Sequence, residues 1–204
     1  MDVEELLTTT RSVRRRLDLT RPVDTGEVMA CIEVALQAPT GGGRQHWHWL
    51  VVTDPALRSA IGGVYRAAFE ARYPPDRDDL PVPPRDLVSA RHLAAHLAAV
   101  PVLVVPCLEL PGGLPAGNQA GVWGSLLPAA WSYMLAARAR GLGTAWTTVH
   151  LDREVEVARL LGLPGTVRQG ALIPTAHVAG GSGFRRAARR PAASVVHVDG
   201  WSAS

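Results

Sequence analysis

The sequence predicts an α+β domain, and three observations lead to that class. Segments with apolar residues at helical spacing stand beside short runs of β-branched and aromatic residues. The two kinds mix without a regular strand–helix–strand period, and no internal repeat appears. The length, 204 residues with 47% hydrophobic and 19% charged side chains, suits one well-filled domain, or one protomer whose core a partner completes. Residues 1–204 are therefore taken as a single domain.

In chain order, residues 2–10 are expected to form a short helix, followed by the arginine-rich "TRSVRRRL". "DTGEVMACIEVALQAP" is a longer amphipathic helix: Asp24 stands at the N-cap, Glu27 three residues later as in a capping box, and Val28, Ile32 and Ala35 share a face until Pro39 stops it. After "TGGGRQ", the aromatic and β-branched "HWHWLVVTD" is a strand ending at a turn, and residues 55–70 are a helix. Residues 72–90, dense in proline and charge, are expected to be a long mobile loop of the kind that often serves as a lid. "RHLAAHLAAV" is helical, "PVLVVPCLEL" a buried strand, and "PGGLPAGN" a loop. Residues 121–140 make the longest helix, apolar all round as a fully buried element would be, with Pro128 expected to kink it. "GLG" ends that helix, and "TAWTTVHL" follows as a strand or extended loop. "DREVEVARLLGLP" is a short helix, "GALIPTAHVAG" a core strand and "SVVHVDGW" a final strand.

Composition excludes several chemistries. All 21 basic side chains are arginine, so no Schiff-base lysine, P-loop lysine or lysine general base can operate. The net charge of +3 and the lack of a recognised binding motif argue against a nucleic-acid partner. The longest apolar run, "LAAVPVLVVPCL", is too short for a bilayer and is broken by Pro101 and Pro106, so no membrane partner is expected. Cys31 and Cys107 lie in apolar surroundings without CxxC spacing, and the N-terminus has no signal-peptide pattern; both point to the cytoplasm. The pairs His92/His96 and His46/His48 lack a nearby carboxylate or cysteine in metal-site spacing, so no metal is expected. Neither a nucleophile elbow nor a dinucleotide fingerprint is present, which leaves a bound cofactor as the carrier of any chemistry.

Two arginine clusters far apart in sequence, "TRSVRRRL" and "FRRAARRP", can converge on one phosphate, with a serine hydroxyl completing the shell. Each alone is also compatible with a solvated face. The glycine run of "APTGGGRQ" is compatible with a plain turn, or with a backbone that approaches a flat ligand closely.

Taken together, "TTRSVRRRL", "ALQAPTGGGRQHWHWLVV", "LAARARGLGTAWTTVHL", "LLGLP" and "FRRAARRPAASVVHVDGW", in this order and spacing, resemble the FMN-dependent nitroreductase family over nearly the whole chain, most closely its actinobacterial branch. The resemblance implies a nitroreductase-like fold: a central, mostly antiparallel sheet flanked by helices, in an intertwined homodimer with FMN at the subunit interface. It implies that Arg11, Ser12 and Arg14 hold the FMN phosphate, ribityl chain and pyrimidine edge, and that Arg189, two residues before Pro191, binds the phosphate. Pro39, Thr40, Gly41, Gly43 and Gln45 would approach the flavin from the other protomer, while Trp146, Thr147 and Thr148 line the ring, where a backbone amide meets N5. Helix 121–140 would lie in the dimer interface, and residues 184–204 would form an arm across the partner.

The chain departs from the family pattern at Thr10, where a basic residue is frequent, at Gly42 and Gly43, where an asparagine is frequent, and at Thr148, where some relatives carry an acid. The activity implied is ping-pong hydride transfer from NADH or NADPH through flavin N5 to a small flat electron acceptor, a nitroaromatic or quinone, with no protein nucleophile. Alternatives are an FMN-dependent oxidase or desaturase of a biosynthetic intermediate, and a non-enzymatic flavin-binding dimer.

Overall fold

The computed structural model describes residues 1–74, 82–180 and 183–201. Its helices are α1 (Val3–Thr9), α2 (Thr25–Ala35), α3 (Pro55–Arg72), α4 (Pro84–His96), α5 (Ala120–Ala139) and α6 (Glu154–Leu161). Its strands are β1 (Trp47–Val52), β2 (Val102–Glu109), β3 (Leu142–Thr144), β4 (Val167–Gln169) and β5 (Ile173–His177). Aspartate caps start three of these six helices. Asp2 accepts from Glu5 N at 2.7 Å, Asp24 accepts from Gly26 N at 2.9 Å, and Asp54 accepts from Leu57 N at 2.7 Å with Pro55 at the first helical position.

The sheet is antiparallel at every pairing, in the order β1-β2-β5-β3, with β4 on the same edge of β2 as β5 but further along it. β2 is the spine, buried from Val102 to Leu108, and its side chains alternate between two cores. Leu103, Val105 and Cys107 pack with Tyr65, Phe69 and Leu97; Val102 and Val104 pack with Val28, Ile32, Tyr133 and Met134. Helices α3, α4 and α6 thus cover one face, and α2 and α5 the other. Between β4 and β5 the chain presses on α5: a Cβ on Gly170 would overlap Leu126 Cδ2, so any side chain there requires Leu126 to move.

β3 continues beyond its last named residue. Thr144 faces Thr175, and Thr147 exchanges two backbone hydrogen bonds with Leu172 (3.1 and 2.8 Å) in the same register. The segment after α1 runs beside this edge, with Val13 N donating to Thr144 O (2.7 Å) and Asp18 N to His177 O (2.8 Å). Gly143 permits the approach, since a Cβ there would lie 2.8 Å from Val178 Cγ2 and 3.2 Å from Val13 Cβ.

Several expectations are corrected. The predicted loop 72–90 is too long: α3 reaches Arg72, and α4 already begins at Pro84, because Pro83 and Pro84 act as the cap and first residue of a helix rather than as breakers. Residues 75–81 of that segment lie outside the described residues. "SVVHVDGW" is not a strand in this chain; a 3₁₀ turn, Ala192–Ser194, leads into it, and Val198 and Trp201 are 79% and 89% exposed. β-propensity without a neighbouring edge supplies no ladder. Helix α5 is not buried all round: Leu127 and Trp131 remain 36% and 37% exposed. It continues through Pro128. Among the described residues, no helix is long and apolar enough to cross a membrane.

Candidate functional site

Two arginine-lined clefts flank the chain at Arg11–Ser12. The first, of about 520 Å³, is lined by Thr8, Arg11, Ser12 and Trp131 on one side and by Arg186 and Arg189 on the other. The two arginine clusters therefore do converge. Arg11 is ordered by the end of α1, donating to Thr10 O (2.6 Å) and Thr8 O (2.8 Å). A cation is favoured at a helix C-terminus, and further N–H groups of its guanidinium remain to face the cleft. Arg189 spends one donor on Ala188 O (3.2 Å) and is otherwise exposed; Arg186 is paired with Glu4 at 2.6 Å. Thr10 is buried and directs its hydroxyl to Leu6 O (2.6 Å), closing α1.

The second cleft, of about 230 Å³, has Arg11, Ser12, Arg14, Arg15 and Arg16 on one wall and Ser89 and Arg185 on the other. Arg14 reaches Ser89 Oγ at 3.4 Å, tying this wall to α4.

The stretch Trp146–Thr148 adjoins Ser12. Trp146 N donates to Ser12 Oγ at 3.4 Å. Thr147 is fixed by its backbone ladder to Leu172 and by its hydroxyl, 2.9 Å from Tyr65 OH. Burial, the main cause, raises the Tyr65 phenol above its ordinary value, so it stays neutral and can serve as the donor. Thr148 N has no hydrogen-bond partner within the described chain, and Thr148 is half-buried, so this amide is the free donor of the three.

The glycine segment lies elsewhere. Pro39, Thr40 and Gln45 flank a 3₁₀ turn, Gly41–Gly43, in which Gly42 (φ 64°) and Gly43 (φ 66°) take left-handed angles that favour glycine. Gly41 N donates to Ser125 Oγ at 3.0 Å, Ser125 Oγ in turn donates to Gly121 O at 2.9 Å, and Trp47 Nε1 donates to Ser125 O at 2.7 Å. Gly41 and Gly42 line a cleft of about 580 Å³ with Arg44, His46, Glu109, Asn118 and Ser125, which shares no lining residue with the arginine clefts. Within one chain the predicted residues thus fall into two groups. Arg11, Ser12, Arg14, Arg189 and Trp146–Thr148 gather at one place, and Pro39, Thr40, Gly41, Gly43 and Gln45 at another.

Tyr65, Ser89 and Ser125 were not foreseen. Tyr65 reads in sequence as an ordinary apolar position of α3, and only its hydroxyl, with one buried partner, marks it. Among the described residues, no group of three or more His, Cys, Asp or Glu side chains is placed to hold a metal. His92 and His96 stack at 4.2 Å, with His96 Nδ1 bonded to His92 O, and His48 pairs with Glu109.

Among solved structures, the chain is similar to an iodotyrosine deiodinase bound to FMN and 3-iodo-L-tyrosine, with TM-score 0.77 at 21% identity over 98% of this chain and 100% of that one. It is similar to nitroreductase A of Vibrio parahaemolyticus, with TM-score 0.74 and 18% identity over 100% of this chain and 78% of that one. A Parabacteroides distasonis protein named as an NADH dehydrogenase/NAD(P)H nitroreductase gives TM-score 0.67 and 22% identity over 97% and 98%. No curated protein matches the chain. The model of the Nitroreductase family matches residues 7–177, which includes α1 from Leu7, the first arginine cluster and every strand, and the chain belongs to that family.

Proposed function

We propose that the protein is an FMN-dependent oxidoreductase that works as a homodimer, taking hydride from NADH or NADPH and passing it to a flat acceptor such as a nitroaromatic or quinone in ping-pong fashion. The observation that carries this reading is the meeting of Arg11, Ser12 and Arg189, from sequence positions far apart, in one cleft. A phosphate dianion is satisfied by two guanidiniums and a hydroxyl through charge-assisted bonds, which are about twice as strong as neutral ones. The iodotyrosine deiodinase, which holds FMN in the same fold, supports that choice of cofactor.

The residues fit the group in further respects. Arg14, on the next cleft wall, would bring positive charge to the pyrimidine edge, where the ring gains negative charge on reduction. The unpaired Thr148 amide would donate to N5, and Tyr65 would keep it in place through Thr147. The Gly41–Gly43 turn, held away from these residues in its own chain, would serve the flavin of the partner, with Pro39, Thr40 and Gln45 beside it. The exposed Leu127–Trp131 side of α5 and the valine-rich tail would then be covered by the second copy. FMN supplies two-electron chemistry at N5, so the protein needs to bind, orient and exclude water rather than provide a nucleophile. Buried, free Cys31 and Cys107 are compatible with the cytoplasm.

Anaerobic mixing of the FMN-loaded protein with NADH and with NADPH tests the direction of electron flow. Rapid bleaching of the flavin by at least one of them is expected. A flavin that stays oxidised with both contradicts the reductase assignment and leaves an oxidase, a desaturase or a flavin-binding dimer.

A further inference from the structure

The flavin accounts for only part of the smaller arginine cleft. On the reading above, the FMN phosphate lies between Arg11 and Arg189, and Arg14 meets the ring edge. Arg15 and Arg185, which line the 230 Å³ cleft, then have no assigned role. That volume is below the roughly 300–1,000 Å³ of pockets that enclose a drug-sized ligand, and suits a single charged headgroup.

The cleft is positive by construction. Four arginines in the first wall and Arg185 opposite face it, and among the described residues no carboxylate lines it. The ion pairs of the described chain join Arg72, Arg85, Arg153 and Arg186 to acids and leave Arg15 and Arg185 without a carboxylate. Arg185 is also placed rather than loose, because its neighbour Phe184 is clamped: Arg138 Cζ lies 3.7 Å from the ring centroid, and Arg16 Cζ 5.2 Å. Burial is the main cause of a lowered Arg138 pKa; Glu5 opposes the shift and Arg16 adds to it. On the α4 wall, Ser89 Oγ accepts from Arg14 and donates to Asp86 O at 3.0 Å, which fixes the hydroxyl at the rim. Guanidiniums gathered without acids make a site for a carboxylate or phosphate oxygen, which each can meet with paired N–H donors.

We infer that the Arg15–Arg185 cleft binds an anionic group, carboxylate or phosphate, carried by the ligand that occupies the open face of the flavin. This inference rests on the FMN assignment above. The anion has two possible sources: the 2′-phosphate of the donor NADPH, or a carboxylate on the acceptor.

Matched pairs of ligands separate the sources in the FMN-loaded enzyme. NADPH and NADH differ only in the 2′-phosphate, and 4-nitrobenzoate and nitrobenzene only in the carboxylate. At least one pair is expected to show about tenfold lower KM for the anionic member, a preference that weakens with added KCl. Arg15→Ala and Arg185→Ala should each erase most of that preference without changing the KM of the neutral member, and Arg185→Lys should retain part of it. FMN affinity is measured in parallel. No preference in either pair, or a preference that survives both alanine variants, overturns the proposal. So does a loss of FMN affinity in Arg185→Ala, which would assign Arg185 to the flavin phosphate. Failure of the wild-type protein to bind FMN at all would instead remove the flavin reading, and equilibrium dialysis of 4-nitrobenzoate against wild type and Arg185→Ala would still decide the cleft.

Discussion

Lowering the pH from 7 to 5 is expected to destabilise the fold by about 2 kcal/mol through His150 alone. His150 lies in the 3₁₀ turn Val149–Arg153, fully buried, with neither ring nitrogen hydrogen-bonded. Burial lowers its pKa from 6.5 to about 4. Between these values the unfolded chain holds a proton on this ring that the folded chain does not. Stability is therefore fully present above pH 6.5, falls as the pH drops, and levels out below about 4. The whole shift corresponds to about 3 kcal/mol at 1.36 kcal/mol per unit, of which roughly two-thirds is spent by pH 5.

Urea unfolding of the wild type and of His150→Leu at pH 7, 6 and 5 separates this ring from every other titrating group. The variant removes two orphaned polar atoms at similar volume, so at pH 7 it should be as stable as the wild type or more so. At pH 5 it should exceed the wild type by about 2 kcal/mol more than at pH 7. Parallel pH dependences for the two proteins would refute the argument, since His150 would then be titrating alike in the folded and unfolded states.

Other expectations follow from single contacts. Gly170→Ala drives a Cβ into Leu126 and should destabilise by about 1–3 kcal/mol, measured by urea midpoint. Tyr65→Phe removes the bond to the Thr147 hydroxyl and should cost about 1 kcal/mol of stability, with a smaller change in kcat than in stability if Tyr65 acts only by positioning. Arg189→Ala, exposed and making one backbone contact, should leave the melting temperature of the FMN-free protein unchanged while weakening FMN binding about tenfold or more, read by quenching of flavin fluorescence.

The parts of the fold legible in sequence are those decided within a few residues. Asp24 announces α2 because an N-cap needs only the next amides, and "HWHWLVV" announces β1 because its neighbour β2 exists in the same chain. "SVVHVDGW" has the same composition signal, but in this chain no edge stands beside it. β4, three residues long, is too short for a period to show, and is defined instead by its pairing with Cys107–Glu109. Pro83–Pro84 was ambiguous in principle, since proline both breaks a helix and begins one.

The site shows the same division. Arginine density in two clusters pointed to an anion, because guanidinium chemistry is carried by residue type. How those arginines divide between two clefts depends on Ser12 passing beside Trp146 and on Phe184 docking between Arg16 and Arg138, and both are tertiary facts. Thr10, which departs from the family pattern, is buried and spent on closing α1, so the missing charge is not offered from that position by another route.

Joint holding of FMN by the Arg11–Ser12–Arg189 cleft and the Gly41–Gly43 turn of a second copy is tested most directly by titrating FMN into the cofactor-free protein while following flavin fluorescence and mass. A dimer that binds one FMN per chain is expected. Its melting temperature should rise with FMN, by an amount equivalent to about 2.7 kcal/mol at one hundred times the dissociation constant. A monomer, or a protein whose melting temperature ignores FMN, would contradict it.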